Sequence, residues 1–365
     1  MKKVAFVVDK IEKVFSSKPL KGGGYLVARY LIQEFVKKPD VELHIISGKS
    51  AQVDITGIEE LVILDSYIHS DKNAFLKDVK DFVTGKFDVV LFLTFEAPFE
   101  NVLLQAHSEE YKLTNTKNKI QKFFIKNLFS RRKIERNKLL FTHENKQYFA
   151  VSEKLKADYV QNIGLKPDNV TVVYPGVEIN PTNKKSNQIF TFGYPSGTNK
   201  NKGIIDLFFA SCLLWISGEK FKLNLILGRN KFLQKLLMNL IPISYLKIWD
   251  RQIDMTEFYC SSDCILLPSL SESFGLVPLE AAACCVPSVI SNTSGVAEIF
   301  EDSVNSIIYD KTKFPVVNLY IAMKKMLRIY NREHEKYVEL SKNAHIVAQK
   351  YNWEKFANCI YSKLC

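Results

Sequence analysis

Short, almost uninterrupted apolar runs recur from the first residues at 4–8, 43–46, 61–64 and 89–93, with helical spacing over 25–35 between the first two. A strand with one wet face alternates apolar and polar side chains, whereas a strand apolar at every position is covered on both faces. That coverage is the property of a parallel sheet layered with helices. The pattern therefore predicts an α/β, doubly wound chain. Beyond a stretch rich in Pro, Asn and Lys at 179–188, a second series of runs follows at 189–192, 223–227, 265–267 and 288–290. At 365 residues the chain exceeds the roughly 100–200 of a usual domain. Two Rossmann-like domains facing a cleft are expected, joined by that polar stretch.

Composition removes several function classes. The seven cysteines form no Cys-x-x-Cys pair and no histidine stands at metal-ligand spacing, so neither zinc nor a disulfide framework is expected and a reducing compartment fits. The opening apolar run is broken at once by Asp9 and Lys10, and no apolar run approaches the roughly 18–20 residues that span a bilayer. A cytoplasmic protein is expected. The net charge of +11 is uneven, with eight basic residues between Lys117 and Arg136 against Glu135 alone. Ile120, Phe124 and Leu128 recur there every four residues, the pattern of an amphipathic helix with a cationic face. Such a helix suits an anionic membrane surface on the cytoplasmic face; an ordinary solvated basic face fits equally well. The run contains no recognisable nucleic-acid module, and no nucleic-acid partner is expected.

Ligands of doubly wound domains gather at the carboxyl ends of the strands, so the loops there are where chemistry is sought. Lys21-Gly22-Gly23-Gly24 lies between the first strand and a helix expected from about Tyr25, where glycines admit a phosphate or sugar to the backbone. Gly193-Tyr194-Pro195-Ser196-Gly197-Thr198-Asn199-Lys200-Asn201-Lys202-Gly203 follows the first strand of the second series. A lysine here, Lys202 before Lys200, can neutralise a departing diphosphate without a metal. The third segment, 268–284, carries Glu272, Ser273, Phe274, Gly275, Leu276, Val277 and Glu280. Pro278 and the alanines after Glu280 favour a helix from about Leu276, which puts amides at a positive helix end. Glu272 just before that end suits sugar hydroxyls, and Glu280 one turn inside suits a ribose diol.

Residues 269–287, with two glutamates separated by seven residues and followed by an Ala-rich helix, resemble the donor-site signature of glycosyltransferase family 4. Gly22-Gly23-Gly24, Ser152-Glu153, Pro175-Gly176, Lys202-Gly203, Gly228, Glu298 and Trp353 are similar to landmarks of that family in the same order. The resemblance implies a GT-B fold with domains at 1–175 and 176–348 and a final helix, 349–365, packing back on the first domain. It implies donor contacts from Gly23, Gly24, Lys200, Lys202 and residues 272–277 with Glu280. Glu272 would touch the donor sugar, Glu280 the ribose and Lys202 the diphosphate, with His107 similar to the histidine lining the first domain's cleft. The implied reaction is a metal-independent, retaining transfer of a hexose from a nucleoside diphosphate sugar, a uridine one, to a lipid-linked or polysaccharide acceptor in cell-surface glycan synthesis. No cofactor is implied. Tyr194 stands where many members carry an arginine that grips the diphosphate, Lys200 being the available substitute, and Cys285 and Ser306 replace common glycines. These departures keep open a catalytically silent partner protein, and an epimerase-like GT-B enzyme is the other alternative.

Overall fold

The computed structural model describes residues 1–8, 10–15, 23–48, 55–64, 72–93, 102–106, 147–179, 187–227, 246–250 and 254–364. Lys21, Gly22, His107 and the basic segment 117–136 lie outside the described residues, as do the roles expected of them. The chain divides into two units, Met1–Pro175 together with Trp353–Cys365, and Gly176–Asn352.

In the first unit β1 (Lys2–Val8), β2 (Val41–Ser47), β3 (Glu60–Ile63), β4 (Val89–Phe92), β5 (Val102–Ala106), β6 (Gln147–Ala150) and β7 (Val170–Val172) form one sheet. Their order is β3-β2-β1-β4-β5-β6-β7 and every pairing is parallel. Val4, Ala5, Phe6, Val7 and Val8 are all buried, which is why their run shows no alternation. The described helices of this unit are α1 (Ile11–Val14), α2 (Gly23–Val36), α3 (Lys72–Val83), α4 (Glu153–Ile163) and the C-terminal α10 (Trp353–Leu364). α2 starts two residues earlier than the sequence suggests, so Gly23 and Gly24 form its first turn instead of a preceding loop. First-turn N–H groups have no intrahelical acceptor, which makes poor helix formers tolerable there. α10 packs on α2: the Trp353 and Tyr30 rings stack at 4.5 Å, Tyr361 meets Phe35 edge-on at 6.0 Å, and Lys38 donates to Asn358.

The second unit holds β8 (Thr191–Tyr194), β9 (Lys222–Leu225), β10 (Leu246–Ile248), β11 (Cys264–Leu267), β12 (Ser288–Ser291) and β13 (Ile307–Tyr309), ordered β10-β9-β8-β11-β12-β13 and again parallel. Counted within the unit, the order runs outward from the first strand one way and from the fourth strand the other. The reversal falls between β8 and β11, and a doubly wound sheet opens a crevice at the carboxyl ends of such a pair. The helices are α5 (Ile204–Ile216), α6 (Met255–Cys260), α7 (Val277–Ala283), α8 (Pro315–Arg332) and α9 (His334–Lys350). Phe192, Leu223, Leu266 and Val289 from the sheet pack with Leu207 and Leu214 of α5 and Met323 and Met326 of α8.

β8 begins two residues later than its apolar run implies. The Thr191 N–H donates to Asp263 Oδ2 at 2.9 Å, fixing where the strand starts, while Ile189 is left 37% exposed. Gly193 and Tyr194 are therefore strand residues, not part of the following loop. A side chain at Gly193 would sit 2.5 Å from Ile265 Cδ1 and 2.6 Å from Ser262 Oγ, so the glycine lets the neighbouring layers close. Among the described residues no helix is long and apolar enough to cross a membrane.

Candidate functional site

Two loops of the second unit leave β8 and β11 at the point where the strand order reverses. The β8 loop ends in a tight turn, Lys200–Lys202, before Gly203 opens α5. Gly203 has φ +74°, and a Cβ there would lie 1.8 Å from the Pro268 carbonyl oxygen of the β11 loop. The absence of a side chain is what seats one loop on the other. The Leu270 N–H donating to the Asn201 carbonyl at 2.8 Å adds a second link.

Across this junction Lys202 Nζ donates to Glu272 Oε1 at 2.6 Å, and the Ser269 hydroxyl donates to the same oxygen at 2.8 Å. The Glu272 side chain is 9% exposed and that of Lys202 29%. Two groups expected separately for the diphosphate and the sugar are thus brought together as one ion pair. The turn bearing Glu272 is itself held from β12: Ser291 and Thr293 hydroxyls donate to the Ser269 carbonyl at 2.8 and 2.9 Å. Gly295 N–H donates to the Glu272 carbonyl at 3.2 Å and Val296 N–H to that of Phe274 at 2.8 Å. Gly275, at φ +95°, turns the chain into α7. Ser273 and Phe274 are buried, while Leu276 and Val277 are partly exposed at the head of the helix.

Glu280, in the first turn of α7, accepts a hydrogen bond from the Tyr259 hydroxyl of α6. Burial raises its carboxyl above the ordinary glutamate range, and the Tyr259 bond opposes that shift only in part. Tyr259 is fully enclosed, and burial together with the Glu280 charge lifts its own hydroxyl well above the usual value.

Tyr194 fills the position where many members of the resembled family carry a diphosphate-gripping arginine, and its ring is wholly buried in the core. Its hydroxyl donates to the Gly197 carbonyl at 2.8 Å and the Lys202 carbonyl at 3.2 Å. The residue fixes the Lys202 loop from beneath. The side chain of Lys200 lies outside the described residues, although its backbone starts the turn. Gly23 and Gly24 belong to the first unit; the rest of the described donor set belongs to the second.

The sequence did not reveal several supports of the site. The Lys311 ammonium, with a side chain 1% exposed, donates to Asp206 in the first turn of α5, and burial holds Lys311 below the ordinary lysine value while Asp206 opposes the shift. The Lys311 N–H also donates to Asn292 Oδ1 at 3.0 Å, so this buried pair ties the start of α5 to the β12 loop. Ser291, Thr293, Tyr259 and Asp206 carry no local motif. The available signal was only their place at strand ends or in neighbouring helices.

This arrangement offers an anion a lysine at the carboxyl end of the sheet and offers hydroxyl donors two carboxylates. Residues 178–347, just under half of the chain, match the family described as Glycosyl transferases group 1. D-inositol 3-phosphate glycosyltransferase of Paenarthrobacter aurescens is 40% identical over 57 residues, covering 16% of this chain and 14% of that protein. The chain thus spans far less than two thirds of that curated relative. Sucrose-phosphate synthase from Thermosynechococcus elongatus superposes with TM-score 0.78 at 15% identity, over 100% of this chain and 99% of its own. Anabaena Alr3699/HepE in complex with UDP-glucose gives TM-score 0.71 at 17% identity, over 100% and 99%. The fold is GT-B, and the second unit carries the group 1 glycosyltransferase match.

Proposed function

We propose that this chain is a retaining glycosyltransferase that moves a hexose from a uridine diphosphate sugar to a lipid-linked or glycan acceptor in cell-surface glycan synthesis, without a metal. The observation that carries the reading is the Lys202–Glu272 pair at the crossover of the sheet. A diphosphate arriving there draws Lys202 away from Glu272, and the freed carboxylate turns to the sugar hydroxyls. Glu280 accepts the ribose diol. As the bond from the anomeric carbon to the β-phosphate oxygen breaks, charge develops on that oxygen and Lys202 stabilises it in place. The acceptor oxygen bonds to the anomeric carbon on the same face, and its proton leaves with the diphosphate. The match to glycosyl transferases group 1 and the UDP-glucose complex of a structural neighbour support the choice of donor. Acceptor recognition falls to residues 1–175, in line with the division of labour in GT-B enzymes.

The test is thermal unfolding with UDP, GDP, ADP and dTDP, since a ligand that binds only the folded chain raises its melting temperature. UDP should stabilise the wild type and have little effect on Lys202→Met. A flat response to all four nucleotides would overturn the donor assignment. Sugar release or transfer that needs an added acceptor separates a transferase from an epimerase.

A further inference from the structure

The surface of α5 departs from what a helix over a sheet normally presents. Such a helix is apolar on the side facing the sheet and polar on the side facing water. On α5 the inward face is Leu207, Ala210, Ser211 and Leu214, all buried. The outward face is Ile205, Phe209, Leu213 and Ile216, which are 48%, 51%, 39% and 74% exposed, with Trp215 also exposed. Asp206, the only charged side chain of the helix, is already engaged by Lys311.

The neighbouring α8 extends this surface. Ser217 and Glu219, just past α5, reach Tyr320 and Lys324 of α8, so the two helices lie side by side. The outer stripe of α8 reads Val317, Ile321, Lys324, Lys325, Arg328 and Arg332, apolar in its first half and basic in its second. At its head Phe314 stands 77% exposed with φ +47°, a backbone region that bulky side chains rarely adopt. An apolar face bordered by aromatic and cationic side chains is the composition of a surface that lies in a membrane interface.

We propose that the outer face of α5, with the adjoining first half of α8, docks on the anionic headgroup surface of a lipid bilayer. Charge decides between this occupant and a second copy of the chain. Around the apolar face Lys324, Lys325 and Arg328 are paired with Glu219, Asp302 and Glu333, which leaves Lys220, Lys313 and Arg332 against Asp310, a surplus of positive charge. Apposing two such faces would bring like charge together, whereas anionic lipid complements it. The inference goes beyond the donor chemistry and does not depend on it. It also concerns a different segment from the basic run 117–136, which lies outside the described residues.

The experiment floats the full chain with vesicles of phosphatidylcholine alone or mixed with phosphatidylglycerol, at low and high salt. The wild type should rise with the mixed vesicles, much less with phosphatidylcholine, and less at high salt. Phe209→Glu combined with Ile216→Glu should reduce recovery by about tenfold or more, because two exposed side chains that would enter the interface become charged. Ile205→Ser is the milder variant, expected to show an intermediate loss, and remains informative if the double variant does not fold. Melting near the wild-type temperature shows that the loss is not unfolding. Wild-type recovery in the folded variants would overturn the proposal by placing vesicle binding elsewhere. So would failure of the wild type to rise with mixed vesicles, or a wild-type dimer that the variants dissolve without any vesicle binding.

Discussion

The turn at 269–276 and the helix α7 that follows it each carry one of the site's two glutamates, and they treat the same side chain in opposite ways. Glu272 meets an ammonium at 2.6 Å and a hydroxyl at 2.8 Å, so its charge is balanced before any ligand arrives. Glu280 takes the Tyr259 hydroxyl in surroundings that hold its carboxyl above the ordinary range, so its charged form is disfavoured in the free protein. A ligand reaches Glu272 only if it also draws Lys202 away, which favours a molecule that carries a group as strongly charged as a diphosphate beside its hydroxyls. A ligand at Glu280 supplies hydrogen-bond donors to a carboxylate short of them, which suits neutral hydroxyls. If the proposed donor binds here, the contrast sets different physical demands on its two ends within a single loop and helix.

The severest way to break the contrast is to unseat the Lys202 side of it. Gly203→Ala would press a Cβ against the Pro268 carbonyl in a left-handed conformation. The substitution should lower stability by about 3 kcal/mol and abolish the melting response to UDP. Unfolding curves and nucleotide shifts near those of the wild type would mean that the junction of the two loops is looser than its geometry implies.

Lys202→Met leaves Glu272 enclosed with the Ser269 hydroxyl still donating to it, and should cost about 2 kcal/mol because an ion is stranded in a largely buried place. Lys202→Met with Glu272→Gln removes both charges and should recover part of that loss while still failing to bind UDP. A double variant as unstable as the sum of the two singles would show that the pair does not act as a unit.

Much of this architecture was legible in advance because parallel strands buried on both faces leave unbroken apolar runs. The segments around Lys202 and Glu272 were legible because each follows such a run and precedes a helix. Their direct pairing was not, since 70 residues separate them and the contact arises only where β8 lies beside β11. The true start of β8 was hidden for the same reason: Asp263, 72 residues away, caps Thr191. Tyr194 read as a lost diphosphate contact because the pattern placed it in the loop after the strand, whereas it ends β8 and its ring turns into the core. The outward face of α5 was also invisible, because Ile204–Ile216 is apolar on all sides and pattern alone cannot tell which side the sheet covers. Tyr194→Phe tests the revised role by removing only the hydroxyl from the Gly197 and Lys202 carbonyls. It should cost about 1 kcal/mol and weaken, without erasing, the response to UDP. An unchanged UDP response would detach Tyr194 from the site.

The smallest expected effect on stability falls on Glu280, where the contrast is sharpest. In the folded chain the carboxyl binds its proton more tightly than in the unfolded chain, because burial raises its pKa above the ordinary 4.5. Below that value both states are protonated and the group contributes no pH dependence. As pH rises through the window between the ordinary value and the raised folded one, the unfolded chain releases its proton first and wild-type stability falls. Glu280→Gln keeps an oxygen for Tyr259 and lacks the ionisation, so it should escape that fall. The variant should match the wild type in acid and be more stable by less than about 1 kcal/mol at neutral pH. It should nevertheless lose most of the UDP response, since a neutral amide is a weaker acceptor for ribose hydroxyls than a carboxylate. Melting curves at several pH values, with and without UDP, read both effects together. A variant less stable than the wild type at neutral pH would show that the Glu280 charge is already satisfied in the free protein, and the opposition between the two glutamates would disappear.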